Sequence, residues 1–162
     1  HLIIDYNNFL VVDMSSIDNF KNYIDQPSNT SNFLNNIKNN LIKNMNGYDL
    51  IHMIINRFII DKKDFSSIPD EDNYNDIFLQ LKFIFLNEDI IKNLKSTFSK
   101  YQILVKNISS YAYVDSFKNL EKNNIFNLAY RLSNGFNEKE IMLISKPSKN
   151  IGFFEKFFNF FS

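Results

Sequence analysis

Six of the 18 phenylalanines in this 162-residue chain fall within its last ten residues, at Phe153, Phe154, Phe157, Phe158, Phe160 and Phe161. On a helical wheel they share an arc of about 160°, and Glu155, Lys156, Asn159 and Ser162 fill the other side. Burying one Phe side chain contributes roughly 1.5–3 kcal/mol, so the set represents on the order of 10 kcal/mol, comparable with the net stability of a whole domain. Such a face has to be covered. The candidates are the chain's own core, a groove on a partner, or the interface of a membrane.

A chain of this length is one ordinary domain and buries about 70% of the surface its unfolded form exposes, enough for a core that needs no staples. Its 18 basic and 18 acidic side chains cancel, which removes the usual charge argument for nucleic acid or an acidic lipid surface. The halves are unequal, however: 13 acidic and 8 basic residues precede Asn93, against 5 acidic and 10 basic from there on. A dipolar molecule of this kind favours an oriented encounter with a partner.

Cysteine is absent, so disulfides, thiolate metal sites and cysteine nucleophiles are excluded. No stretch resembles a membrane span; the nearest, Ile77 to Leu86, is short and contains Gln80 and Lys82. A first residue of His1 rather than Met suggests a segment of a longer chain. Asn occupies 26 positions and travels with Ile, Lys, Phe and Tyr, a bias that reads as an AT-rich genome. With Asn this frequent, the sequons at Asn29 and Asn107 are expected by chance.

Along the chain, two β-branched runs around Asn7-Asn8 predict an N-terminal β-hairpin. A short helix bearing Ile17, Phe20 and Ile24 should stop before Pro27, with a loop to Thr30. Phe33, Leu34, Ile37, Leu41, Ile42 and Met45 then fall at helical spacing, with Gly47 where a terminating residue belongs. Tyr48 to Ile60 is apolar almost all round and reads as a central core helix carrying His52. Tyr74 to Leu86 fits both periods; its length and surroundings favour helix over strand. Asn87, Glu88 and Asp89 open a helix through Phe98. Asp115 is expected to cap another, ending at Asn134-Gly135, and Lys139 to Ser145 forms a strand or a short helix ahead of Pro147 and the Phe-rich helix.

The expected fold is therefore mainly α, a helix-dominated α+β domain over residues 1–162: a multi-helix bundle with an N-terminal β-hairpin and one or two further short strands.

Catalytic inventory is sparse. His52 is the only internal histidine and no HExxH pattern accompanies it, so a hydrogen-bonded boundary role outweighs base or metal-ligand duty. The run Asp70, Glu71, Asp72, Asp76, with Asp61 and Asp64 upstream, fails the calcium-loop pattern: Tyr74 takes the fifth position, no Gly the sixth, and Leu81 stands where a bidentate Glu belongs. Three scattered glycines make no phosphate-binding loop. Leu128 to Ile141 carries a faint helix-turn-helix outline, but the reading helix would offer Phe with only Lys149 and Lys156 as cations. No cofactor, metal, nucleic acid or small-molecule substrate is expected. The sequence points to a non-enzymatic protein-interaction or assembly module, with Phe153, Phe154, Phe157, Phe158 and Phe161 as partner-binding residues, and, as the alternative, to a membrane-associating or membrane-perturbing helical protein.

Overall fold

The apolar stretch Tyr48–Ile60 is a strand, and it organises the molecule. In the computed structural model, which describes residues 1–24, 26–69, 74–120 and 124–141, this strand, β3, lies in a four-stranded sheet. The sheet order is β2-β5-β3-β4, with β2 at Leu10–Ser15, β4 at Lys63–Phe65 and β5 at Ile77–Asn87, and every neighbouring pair is antiparallel. The expected helix bundle is thus replaced by a mixed α/β fold built on a sheet.

The reason β3 escapes a pattern reading is visible in its register, which shifts between Leu50 and His52 and again between Ile55 and Arg57. Each bulge adds a residue and inverts the parity of all that follows. Leu50, Met53, Ile55, Phe58 and Ile60 consequently pack into a single cluster although their spacing alternates between three and two. A strict period of two never appears. Both faces of β3 are covered, so it carries no polar stripe either. What did favour a strand is its content of Ile51, Ile54, Ile55, Ile59 and Ile60, all β-branched.

The helix favoured for Tyr74 to Leu86 is likewise overturned. β5 pairs with β2 on one side and β3 on the other, and its alternating Ile77, Leu79, Leu81, Phe83 and Phe85 all enter the main core. That core is closed by Phe33 and Leu34, buried, and by Ile37 and Leu41, partly buried, from α2 (Pro27–Ile42), with Phe20 before the single-turn α1 (Lys21–Ile24). On the opposite face Ile84 and Ile54 meet α4 (Tyr111–Asp115) and α5 (Ile125–Ser133). A third cluster, Ile51, Leu86, Ile91 and Ile108, joins one end of the sheet to α3 (Glu88–Ser99) and to β1 (Leu2–Ile4) and β6 (Ile108–Ser110).

β1 and β6 form a separate parallel pair, so the predicted N-terminal hairpin does not exist. Asn7 and Asn8 do turn the chain, but β2 leaves to pair with β5, placing Val11 opposite Ile84 and Val12 opposite Phe83. Partners more than sixty residues away outbid the neighbour that the turn suggested. α1 does stop before Pro27, but the loop expected up to Thr30 is instead the first turn of α2, which Pro27 begins, in keeping with its fixed φ and missing N–H. Asp115, expected to cap the start of a helix, is instead the last residue of α4, and the single helix expected after it is replaced by a 3₁₀ turn at Lys118–Leu120 and by α5, whose start is capped by Asn124 Oδ1 accepting from Phe126 N at 2.8 Å. The start expected for α3 agrees: Asn87 Oδ1 accepts from Asp89 N at 2.9 Å, with Glu88 and Asp89 in the first turn.

Between β3 and β4, Asp61 and Lys62 both adopt positive φ, 45° and 69°. This is the geometry of a two-residue hairpin turn, which glycine enters without the steric cost borne by a lysine Cβ. Lys62→Gly should raise the unfolding free energy by about 0.5–1 kcal/mol, read as a higher denaturation midpoint at constant m-value.

Candidate functional site

The bulge after Leu50 turns the His52 side chain toward the α4 side of the sheet, where it is fully buried. Two nitrogens, two partners: Ser110 N donates to His52 Nε2 at 3.2 Å, and His52 Nδ1 lies 3.2 Å from Glu140 Oε2. Because Nε2 accepts a hydrogen bond it carries no proton, so Nδ1 holds the proton and donates it to the carboxylate.

Glu140 arrives from a segment that runs beside β3 as a short antiparallel bridge. Ile55 N donates to Lys139 O at 2.9 Å and Ile141 N to Met53 O at 2.7 Å, which sets the Glu140 side chain over the strand. Its second oxygen, Oε1, accepts from Met53 N at 3.1 Å. The carboxylate is as deeply buried as the imidazole. Tyr113 of α4 covers both, its ring 4.2 Å from the His52 ring and its hydroxyl accepting from Asn137 Nδ2 at 3.0 Å. Burial first, and the negative field of Glu140 second, hold the Tyr113 hydroxyl far above the usual tyrosine range, so it stays protonated.

Above this knot, between the sheet, α4 and the loop before β2, lies a half-open cleft of about 690 Å³. Tyr113 and Asn137 form part of its wall, together with Ser110, Lys82, Lys139 and Phe117. Burial alone pulls the Lys139 amine below the usual lysine value. The volume lies within the range of small-molecule sites.

A different surface faces outward from α5. Leu128, Ala129 and Leu132 anchor the helix in the core, whereas Phe126 and Tyr130, one turn apart, are 68% and 67% exposed. Nearby, the Arg131 guanidinium lies 4.1 Å from the Phe136 ring centroid. Tyr101 and Leu104, beyond α3, are also mostly exposed.

No known protein family, curated protein or solved structure matches this chain.

The residues singled out by sequence fare differently. Phe153, Phe154, Phe157, Phe158, Phe160 and Phe161 lie outside the described residues, as do Asp70, Glu71 and Asp72. His52 sits on a strand, not on the polar strip of a helix, and its partner Glu140 is 88 residues away. The described acids of the suspected cation loop act as clips. Asp61 Oδ1 accepts from Asn75 N and Asp76 N, Asp76 accepts from Asn19, and Asp64 pairs with Arg57. Among the described residues no His, Asp and Glu cluster could hold a metal, and no helix is long and apolar enough to cross a membrane. The second element of the helix-turn-helix outline is overturned: Asn137 to Lys139 forms a turn and Glu140 bridges to Ile54 of β3.

Glu140, Tyr113, Asn137, Ser110, Lys82 and Lys139 had no signal in the sequence. Nothing in their spacing anticipates that a bulge, a bridge and a one-turn helix bring them together.

Proposed function

We propose that this chain is a non-enzymatic protein-interaction or assembly module. The observation that carries the proposal is the aromatic ridge of Phe126 and Tyr130, held two-thirds exposed on a helix whose opposite face is fixed in the core. Large aromatic side chains on a rigid support contribute contact area at small conformational cost, and Tyr, Phe and Arg are enriched where proteins meet. The sealed His52–Glu140 pair supports the same reading, since both imidazole nitrogens are committed within the fold and the ring has no surface at which to meet a substrate. The phenylalanines at 153, 154, 157, 158 and 161 extend the supply of apolar side chains available for association.

Two variants test this: Phe126→Ser with Tyr130→Ser, and Phe154→Ser with Phe157→Ser and Phe161→Ser. Each is compared with the intact chain by affinity capture from source cells followed by reconstitution with the purified captured protein. The α5 pair should lose at least about tenfold in affinity, equivalent to 1.4 kcal/mol, while its stability changes by no more than about 0.5 kcal/mol. Undiminished affinity of both variants would overturn the proposal. Flotation of the intact chain with anionic vesicles, abolished by the second variant and unaccompanied by any protein partner, would replace it with membrane association.

A further inference from the structure

The cleft over the His52–Glu140 knot has features that the interaction proposal does not use. Ser110 is 3% exposed and lines the cleft; its backbone N–H is spent on His52, and its hydroxyl forms no hydrogen bond with a described residue. The hydroxyl is not sealed in the core, so it is open to a polar group that enters the cleft. Lys82 on β5 and Lys139 beside β3 line the same cleft, and neither is in an ion pair among the described residues. Asp13, opposite Lys82 across the β2–β5 ladder, is exposed and lies outside the lining. Among the described residues no Asp or Glu belongs to the cleft wall. Glu140, directly behind it, is screened by Tyr113 and spends both oxygens on His52 and Met53.

The burial that lowers the Lys139 pKa describes the same imbalance from the other side: a partly desolvated ammonium gains from any anion brought next to it. The remaining wall mixes apolar side chains, Phe9, Phe117 and Ile84 among them, with the polar Asn7, Asn56 and Ser116. Two cations and a hydroxyl in the wall of a small-molecule-sized cleft that also presents aromatic rings suit a ligand with one charged head and a flat apolar body.

We propose that this cleft binds an amphiphilic organic anion, its carboxylate or phosphate head against Ser110, Lys82 and Lys139 and its apolar body between Phe9 and Phe117. This departs from the sequence-based expectation that no small molecule is involved, and it stands apart from the α5 ridge. Binding is the whole of the inference; no bond is made or broken.

The test uses the full chain labelled with ¹⁵N and titrated separately with 1-naphthyl phosphate, 1-naphthoate, 1-naphthalenemethanol and inorganic phosphate. The two naphthyl anions should shift the amides of Ser110, Phe117, Lys82 and Lys139 saturably, and the stronger of the two identifies the preferred head group. Naphthalenemethanol and inorganic phosphate should each bind at least about tenfold more weakly, since each lacks half of the recognised chemistry. Lys82→Met with Lys139→Met should weaken the anions by at least about tenfold while the remaining spectrum stays that of the folded chain. Should the double variant unfold, Lys139→Met alone, at a half-buried position, carries the same comparison. Binding of the neutral alcohol equal to that of the anions, unchanged affinity of the variants, shifts confined to other surfaces, or no saturable shift with any probe would each overturn the proposal.

Discussion

Glu140→Ala should lower the unfolding free energy by about 3–5 kcal/mol, enough to unfold a substantial fraction of a marginally stable chain. The carboxylate is fully buried and accepts from His52 Nδ1 at 3.2 Å and from Met53 N at 3.1 Å. Truncation leaves both donors dry and unpaired, at about 1–3 kcal/mol each, and opens a cavity beside Tyr113. It also loosens the bridge that ties residues 139–141 to β3. Glu140→Gln should cost less, because the amide oxygen still accepts from one of the two donors. Combining His52→Leu with Glu140→Leu should cost less than the sum of the single changes, since the imidazole no longer needs a partner, while Met53 N–H still does. Denaturant midpoints at constant m-value compare the intact chain with these three variants and with the two single leucine changes. A loss of less than about 1 kcal/mol for Glu140→Ala would show that the knot does not hold the fold together.

Phe83→Ala should be of similar size, about 3–5 kcal/mol. Phe83 is fully buried on β5, opposite Met53 on one neighbouring strand and Val12 on the other, with the Phe85 ring at 6.4 Å. Its neighbour Phe78, on the other side of the pleat, is only partly buried, so Phe78→Ala should cost distinctly less. The comparison also separates the two periods that the sequence allowed for this stretch. A helix would gather Ile77, Phe78, Leu81, Ile84 and Phe85 and leave Phe83 off the face, reversing the order of the two effects. Phe78→Ala as the costlier change would refute the strand register.

Legibility followed locality. The start of α3 was readable because an N-cap and its acids act within one turn: Asn87 reaches Asp89 N, two residues on. Most of α2 was readable because Phe33, Leu34, Ile37 and Leu41 repeat at a helix period in an otherwise polar stretch. The positive φ of Gly47 and Gly135, 79° and 86°, marks turns where the sequence placed chain breaks. Failure came where non-local pairing decides. The Asn7-Asn8 turn carried a real local signal, yet β1 found its ladder at Ile108–Ser110 and β2 at Gln80–Phe85. No short-range rule contains that choice. The candidate site was less legible still, because Ser110, Tyr113 and Asn137 have ordinary structural uses wherever they occur and acquire a role only when placed around His52.

By itself the sequence determined the inventory: no cysteine chemistry, balanced charge divided unevenly along the chain, a surplus of aromatic side chains, and the caps and periods of its polar helices. These are additive properties of residues and of contacts one turn long. The tertiary structure alone decided that the two most apolar stretches are strands: in β3 burial on both faces erases the polar stripe and two bulges erase the alternation, while in β5 the alternation survives but a helical spacing fits equally until β2 and β3 pair on its two sides. It also decided that His52 and Glu140 meet, 88 residues apart, with a lysine-lined cleft above them. A side chain's partners are fixed by which backbone lies beside it, and that is a property of the whole chain at once.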